Sequence, residues 1–453
     1  MNSSQNNSST IFYGRAIKLK PKGHTIILDH AVLALLFFFL LTEVFGGAIR
    51  YYAVQYGFPW LPYLPHLLLA VAVVPMFFIY LLSEGVTSTY LTLLILFSIG
   101  TACGIYNLNS ASQVEFGLWV FVAFLYGVVV VPAVVRGWRS LTPFVLLLWM
   151  TAVAGVLINV FHSWPWIGLE YQIGSTVMEA SRLWWTGGMA FDRLPGFSRA
   201  SFDAAIQILI LGLFLVETAS RRWRVPIWIV SGVAIVLTTH KTALLVYVVF
   251  SVLLLLPRDP NSASLRLLPL VLAALDTLLP FSMLFVRPDW MDSTSSPIGA
   301  MVFSSFFERL QIGWPDWLRM IFDRGNLLLG RGLGGIGAAQ TYFEPSLYSP
   351  GDNIVVYLYG TFGVLGIGFL CVYAWKAARL RVAGPVAHFF YLCACLVLID
   401  GMTVNVLEGS FTAILFGASY RYLQQSPVCS ASRASAERVR GVGVIQTENP
   451  ICG

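Results

Sequence analysis

Val114-Glu-Phe-Gly-Leu-Trp-Val-Phe-Val-Ala-Phe-Leu-Tyr-Gly-Val-Val-Val-Val-Pro-Ala-Val-Val135 is followed at once by Arg136. One carboxylate, Glu115, interrupts a run of the roughly 20 apolar residues that a helix needs to cross a bilayer. The run ends in a cation, as spans do at the inner rim. Similar runs recur along the chain. Reading each by the same rule predicts about 12 transmembrane helices, near 28–49, 63–82, 87–107, 114–135, 141–161, 201–219, 225–239, 241–257, 266–286, 353–375, 384–402 and 404–420. The expected fold class is an all-α polytopic membrane protein with a large outer loop before the tenth helix.

Composition agrees with that reading. Of the 453 residues, 57% are hydrophobic and 11% charged, with a mean hydropathy of +0.75. Soluble domains carry about 25% charged residues. The polar start Met1–Thr10 and the basic patch Arg15, Lys18, Lys20 and Lys22 lead into a full-length span, so an uncleaved cytoplasmic segment 1–27 is expected. A membrane domain over 28–420 and a Ser/Arg/Gly-rich, disordered cytoplasmic tail over 421–453 complete the division. The net charge of +6 reflects Lys and Arg at the inner rim and points to no nucleic acid. The six cysteines avoid the outer loops, so no structural disulfide is expected. Cys393-x-Cys395 has neither zinc spacing nor a second pair, and no metal site or cofactor is expected.

With the N-terminus inside, 18 of the 28 Lys and Arg fall on inner segments. Eight of the other ten lie in two long outer loops, 162–200 and 287–352. The first loop reads His162-Ser-Trp-Pro-Trp166, then Arg182-Leu-Trp-Trp185, then Asp192-Arg-Leu-Pro-Gly-Phe-Ser-Arg199. Its tryptophans either stack on sugar faces, with Trp184 and Trp185 as candidates, or belt the membrane border. Arg193 and Arg199 stand at the mouth of the sixth span, and Arg forks onto phosphate oxygens. The tight turn Thr238-Thr-His-Lys-Thr-Ala243 sets Lys241 on the same face, while His240 reads as a satisfied polar residue. In the second loop Arg309 and Arg319 flank Trp314, a further glycan-stacking candidate. Gly330, Gly332, Gly334, Gly335 and Gly337 form a run in which backbone can approach a ligand closely. Glu344 and Asp352 are the carboxylates best placed to serve as a base, and Asp352-Asn353 reads equally as the N-cap of the tenth span. Within the spans, Asp276 and Asp400 are the carboxylates that a proton-coupled transporter would use.

The order of these motifs resembles one family. Arg193-Leu-Pro-Gly-Phe, the Thr-x-x-Lys-Thr-Ala turn at 238–243, the Arg…Trp…Arg…Gly-x-Gly loop at 309–334, and Asp-Asn-x-x-x-Tyr…Gly…Gly at 352–366 look like the O-antigen ligase/Wzy polymerase superfamily. The resemblance covers roughly residues 190–370. It implies a glycosyltransferase of the bacterial inner membrane, with both termini cytoplasmic and both long loops periplasmic. Its substrate would be an undecaprenyl-pyrophosphate-linked oligosaccharide, polymerised into exopolysaccharide or O-antigen. Arg193, Arg199, Lys241 and Arg309 would hold the pyrophosphate, and Asp352, Arg319 and Glu344 would be catalytic. A chain-length regulator and export machinery would be further partners. Ligases of the superfamily usually place a His where this chain has Asp352, which favours a polymerase. His240-Lys241 replaces the common Ser-Arg pair, keeping the charge but losing the fork. A ligase and a lipid-linked oligosaccharide flippase or transporter stand as the alternatives.

Overall fold

The computed structural model describes residues 23–84, 87–173, 176–181, 193–255, 262–285 and 305–425. Most of the segment 1–27, most of the tail, and Trp184 and Trp185 lie outside them.

The chain is a largely helical bundle. The expectation of about 12 spans is corrected: among the described residues six helices are long and apolar enough to cross a membrane, or seven if one bent pair is a single span. The six are Leu61–Leu82, Ser88–Asn107, Ala111–Arg136, Thr142–Asn159, Ser201–Thr218 and Ala263–Leu284. The bent pair, Leu28–Val44 and Gly46–Gln55, turns by 79°. Elsewhere the apolar runs fold, within the described residues, as helices that fall short of a span. The run 353–375 breaks into Ile354–Phe362 and Val364–Arg379, because Gly363 takes a left-handed φ of 60°. Helix Arg221–Thr238 spends its first turn on Arg221, Arg222 and Arg224. Lys241–Leu255, Pro385–Gly401 and Ser410–Gln425 have 15, 17 and 16 residues.

Close helix contacts follow the small residues. A side chain at Gly127 would meet the Ile414 carbonyl, and one at Gly417 the Phe124 carbonyl, so helices Val122–Arg136 and Ser410–Gln425 cross backbone to backbone. Such approach is the main source of packing where lipid offers no hydrophobic drive. Helix Ser201–Thr218 is buried almost all round and forms the axis of the bundle. A short antiparallel hairpin, Glu170–Ile173 with Thr176–Glu179, stands outside it. The hairpin covers a cluster in which Trp164 and Trp166 stack at 4.9 Å and 9°.

The glycine run has a packing role. Arg331 N–H donates to Gly360 O at 2.8 Å, Gly332 N–H to Thr361 O at 3.1 Å, and Leu333 N–H to Gly100 O at 2.9 Å. The strip is thereby wedged between helices Ser88–Asn107 and Ile354–Phe362, with Ala111–Val120 against it. Gly332 (φ 92°) faces the backbone of Gly104, and Gly334 (φ 81°) that of Gln113. The close approach is of backbone to backbone, not to a ligand. An added methyl at either position is both strained and obstructed. Gly332→Ala is therefore expected to remove monodisperse protein from detergent extracts in size-exclusion chromatography. Gly313→Ala, where a Cβ meets nothing within 4 Å, should extract like the parent.

Candidate functional site

The structure holds a cavity of about 2480 Å³. Its wall includes Arg193, Arg199, Lys241, Arg309 and Asp352. Arg193 and Arg199 arrive on the segment that enters helix Ser201–Thr218. Its tight path is held by Asn159 Oδ1, which accepts from Gly196 N at 3.2 Å, and by Trp166 Nε1, which donates to Gly196 O at 3.0 Å. Buried Arg193 Nε and Arg199 Nε have no hydrogen-bond partner in the structure. Burial lowers the Arg193 pKa below the usual guanidinium range.

Lys241 sits in the turn between helices Arg221–Thr238 and Lys241–Leu255. Thr239 takes a left-handed φ of 55°, uncommon for a β-branched residue, and this reverses the chain within two residues. His240 caps the second helix, its Nδ1 accepting from Ala243 N at 3.4 Å. Burial first, then Arg193 and Arg309, lower its pKa to about 4. The imidazole is neutral at pH 7, so it adds no charge to the group. Arg193 and Arg309 act on Lys241 as well. Three cations of three separate segments therefore share one electrostatic neighbourhood.

The loop 305–352 supplies the opposing carboxylate. Arg309 Nε donates to Asp352 Oδ2 at 3.1 Å. Burial raises the Asp352 pKa above the ordinary carboxylate range, although Arg309 pulls it back down. The cap of helix Ile354–Phe362 is Asn353, whose Oδ1 accepts from Val355 N at 2.8 Å and Val356 N at 3.1 Å. Its Nδ2 donates to Asp276 O at 3.2 Å and Met402 O at 3.1 Å. Asp352 makes no cap of this helix, and its carboxylate faces the cavity beside Arg309.

Three other candidates lie away from the cavity. Arg319 projects outward from helix Trp314–Arg324, 77% exposed, and pairs with Asp316 at 3.1 Å. Asp316 borders the cavity and Arg319 does not. The helix buries Trp314, Trp317, Met320 and Ile321, so residue 319 falls on the opposite face. Trp314 is 1% exposed and packs edge-on against Phe306, which leaves no face for a sugar. Glu344 accepts from Arg331 Nη2 at 2.9 Å and from Gln113 Nε2 at 2.8 Å. Burial raises its pKa, but these two donors outweigh burial and hold it below the ordinary value. A carboxylate so engaged is a poor base and a good structural pin.

The cavity wall also carries residues that sequence reasoning left aside. Glu43, Arg50, Tyr63, His66 and Trp119 line it, with the last two rings in tilted contact at 4.9 Å and 34°. Asp400, which the sequence did single out, also lines it, with a buried Oδ1 that has no hydrogen-bond partner. Beside Asp400, Thr242 and Thr403 share a hydroxyl contact of 2.8 Å. Among the described residues no group of three His, Cys, Asp or Glu is arranged to hold a metal ion.

Three stability outcomes follow. The folded-state pKa of Asp352 lies above its unfolded value of about 3.9. Its ionised form is thus a cost that begins as pH rises through the unfolded pKa and is complete above the folded one. Asp352→Asn is therefore expected to melt no lower than the parent at pH 7. Asn353→Ala should lose about 1 kcal/mol or more through the missing cap, read from thermal unfolding in detergent. Glu344→Ala leaves Arg331, 1% exposed, without its carboxylate and should cost about 3 kcal/mol. A Glu344→Ala protein as stable as the parent would dismiss the pin.

No protein-family model, no curated protein and no solved structure matches this chain.

Proposed function

We propose that the protein is a membrane-embedded glycosyltransferase that polymerises oligosaccharide repeat units carried on undecaprenyl pyrophosphate, at the periplasmic face of a bacterial inner membrane. The observation that carries this reading is the group Arg193, Lys241 and Arg309 beside Asp352 in one cavity at the loop end of the bundle. Cations brought together by three distant segments repel one another, and an anion is the natural guest of such a group. A lipid-linked pyrophosphate is an anion presented at the membrane border.

The chemistry uses residues already in position. The acceptor hydroxyl oxygen forms a bond to the anomeric carbon of the donor sugar. The bond from that carbon to the pyrophosphate oxygen breaks, and its electron pair leaves with the lipid pyrophosphate. Asp352 takes the hydroxyl proton, and its raised pKa brings it nearer the range in which a base works at neutral pH. Arg193, Lys241 and Arg309 stabilise the charge that grows on the leaving group. His66 and Trp119, both on the cavity wall, offer an aromatic surface for sugar rings.

A second reading is favoured by one observation. Asp400, buried on the cavity wall with an unpartnered oxygen, is what a proton-coupled transporter of lipid-linked oligosaccharide would need. The two readings separate in detergent, where no compartments exist. The purified protein given lipid-linked repeat units should yield a ladder of longer lipid-linked glycans. A transporter leaves the units unchanged. Removing one desolvated charge contact in the transition state costs roughly 3 kcal/mol, about a hundredfold in rate. Arg309→Gln and Asp352→Asn should each slow ladder formation by about that factor. Arg319→Ala should stay within a few-fold of the parent, because an exposed pair contributes about 0–1 kcal/mol. Full ladder formation by Arg309→Gln would remove the polymerase reading.

A further inference from the structure

Two orphaned polar atoms of the cavity wall come from one short stretch of chain. Asp400 stands in the last turn of helix Pro385–Gly401, and Asn405 follows in the segment leading to helix Ser410–Gln425. They are 1% and 5% exposed. Asp400 Oδ1 and Asn405 Nδ2 are both buried without a hydrogen-bond partner. Native chains keep such atoms rare, because each has given up its bonds to water for nothing in return. Hydroxyls of the same stretch are satisfied: Thr403 shares a contact of 2.8 Å with Thr242, and Thr412 Oγ1 donates to Val406 O at 2.7 Å. The Tyr357 hydroxyl lies beside the Asn405 amide, short of a hydrogen bond to Nδ2.

The polarity of each atom is fixed. A carboxylate oxygen accepts. An asparagine amide can be turned end for end, but Asn405 Oδ1 accepts from Leu407 N at 3.2 Å, which leaves Nδ2 as the unpartnered donor. The backbone holds the two in a set relation. Asp400 O accepts from Thr403 N at 3.2 Å and Val404 N at 3.0 Å, so one more turn follows the helix and Asn405 comes directly after it. Asn353 Nδ2 ties that turn down by donating to Met402 O at 3.1 Å. Leu407 and Phe411 border the cavity on the same stretch. The wall there offers one acceptor, one donor and an apolar surface. A sugar hydroxyl both gives and accepts, so it has no need of such sorting. A secondary amide has: its N–H only donates, its carbonyl on the opposite edge only accepts, and in an acetamido group a methyl completes the set.

We propose that Asp400 and Asn405 read an acetamido group, so that the substrate glycan carries an N-acetylated amino sugar. Asp400 Oδ1 accepts from the amide N–H, Asn405 Nδ2 donates to the amide carbonyl, and the methyl lies against Leu407 and Phe411. The inference rests on the polymerase reading and names the class of sugar that the cavity selects. Asp400 then sets specificity and carries no proton across the membrane.

Matched lipids test this without catalysis. The probes are undecaprenyl pyrophosphate carrying N-acetylglucosamine or N-acetylgalactosamine, each against its partner carrying glucose or galactose. Within a pair only the substituent at carbon 2 differs. The full-length protein is titrated in detergent and examined by native mass spectrometry. In at least one pair the parent should bind the acetamido lipid roughly tenfold or more tighter than its partner, because the hydroxyl sugar leaves buried groups unpaired. Asp400→Leu keeps the bulk and removes the acceptor. Asn405→Asp keeps the oxygen that Leu407 N needs and sets an acceptor against the amide carbonyl. Each should weaken the acetamido lipid until the two affinities agree within about threefold, and residual binding of both lipids shows that the variant is folded. A preference that persists in either variant overturns the proposal. So does loss of every lipid in both variants, which would make the two residues general to binding. If the parent binds both members of each pair equally, the acetamido site falls and the polymerase reading stands. If the parent binds no lipid, both fall.

Discussion

Arg331 is 1% exposed, and its guanidinium donates to Gly335 O at 2.8 Å and to Glu344 at 2.9 Å. An unpaired guanidinium at that depth would be prohibitive, so the loop closes on itself around the charge. Glu344 then reaches Gln113, and Gln113 Nε2 also holds Gly334 O at 2.9 Å. The result is a polar knot inside an apolar bundle, fixing a loop to helices that precede it by more than two hundred residues. Gln340 extends it, donating to Leu347 O at 2.9 Å and accepting from Ser349 N at 3.0 Å. What emerges from the knot is the short stretch leading to Asp352. The position of the carboxylate in the cavity is therefore set by an arginine that never touches the cavity.

The cavity itself is arranged by chain reversals. Arg193, Arg199 and Lys241 on its wall sit before a helix or at the turn between two, where backbone groups are already polar and a charged side chain adds least to the cost of insertion. His240 shows the same economy from the other side: it serves as a cap, is held neutral, and so spares a crowded site one more positive charge. Asn353 likewise takes the capping task from its neighbour, so the Asp352 carboxylate faces the cavity beside Arg309.

Much of this was legible in the sequence, and the gaps have physical causes. Charged residues in an apolar chain are conspicuous, which is why Arg193, Arg199, Lys241, Arg309 and Asp352 stood out. Trp314 and Arg319 were misplaced by their company in the chain, although residues 314, 317, 320 and 321 carry the helical period that sorts them into an inner and an outer face. Hydropathy alone overcounted spans because it does not register the left-handed Gly363 or three arginines in one helical turn. Glu43 and Arg50 are seven residues apart, two turns on one face of a straight helix, and that spacing was a signal. Their shared place on the cavity wall depends on a sharp bend that no residue pattern announces. Arg331 looked like any other loop charge and Glu344 like a base, since only tertiary packing distinguishes a pin from a ligand contact.

The uneven lengths of the helices bear on how the chain is made. Helices such as Leu61–Leu82 and Ala111–Arg136 are long and apolar enough to enter a bilayer unaided. Within the described residues Lys241–Leu255 and Pro385–Gly401, which carry Lys241 and Asp400 to the cavity, are shorter. Their backbone ends can be satisfied only against protein already in place. Biogenesis therefore has an order: the self-inserting helices form a scaffold, and the segments bearing the polar wall dock onto it afterwards. Quality control in the cell would see a half-finished chain as one with charged helix ends exposed to lipid.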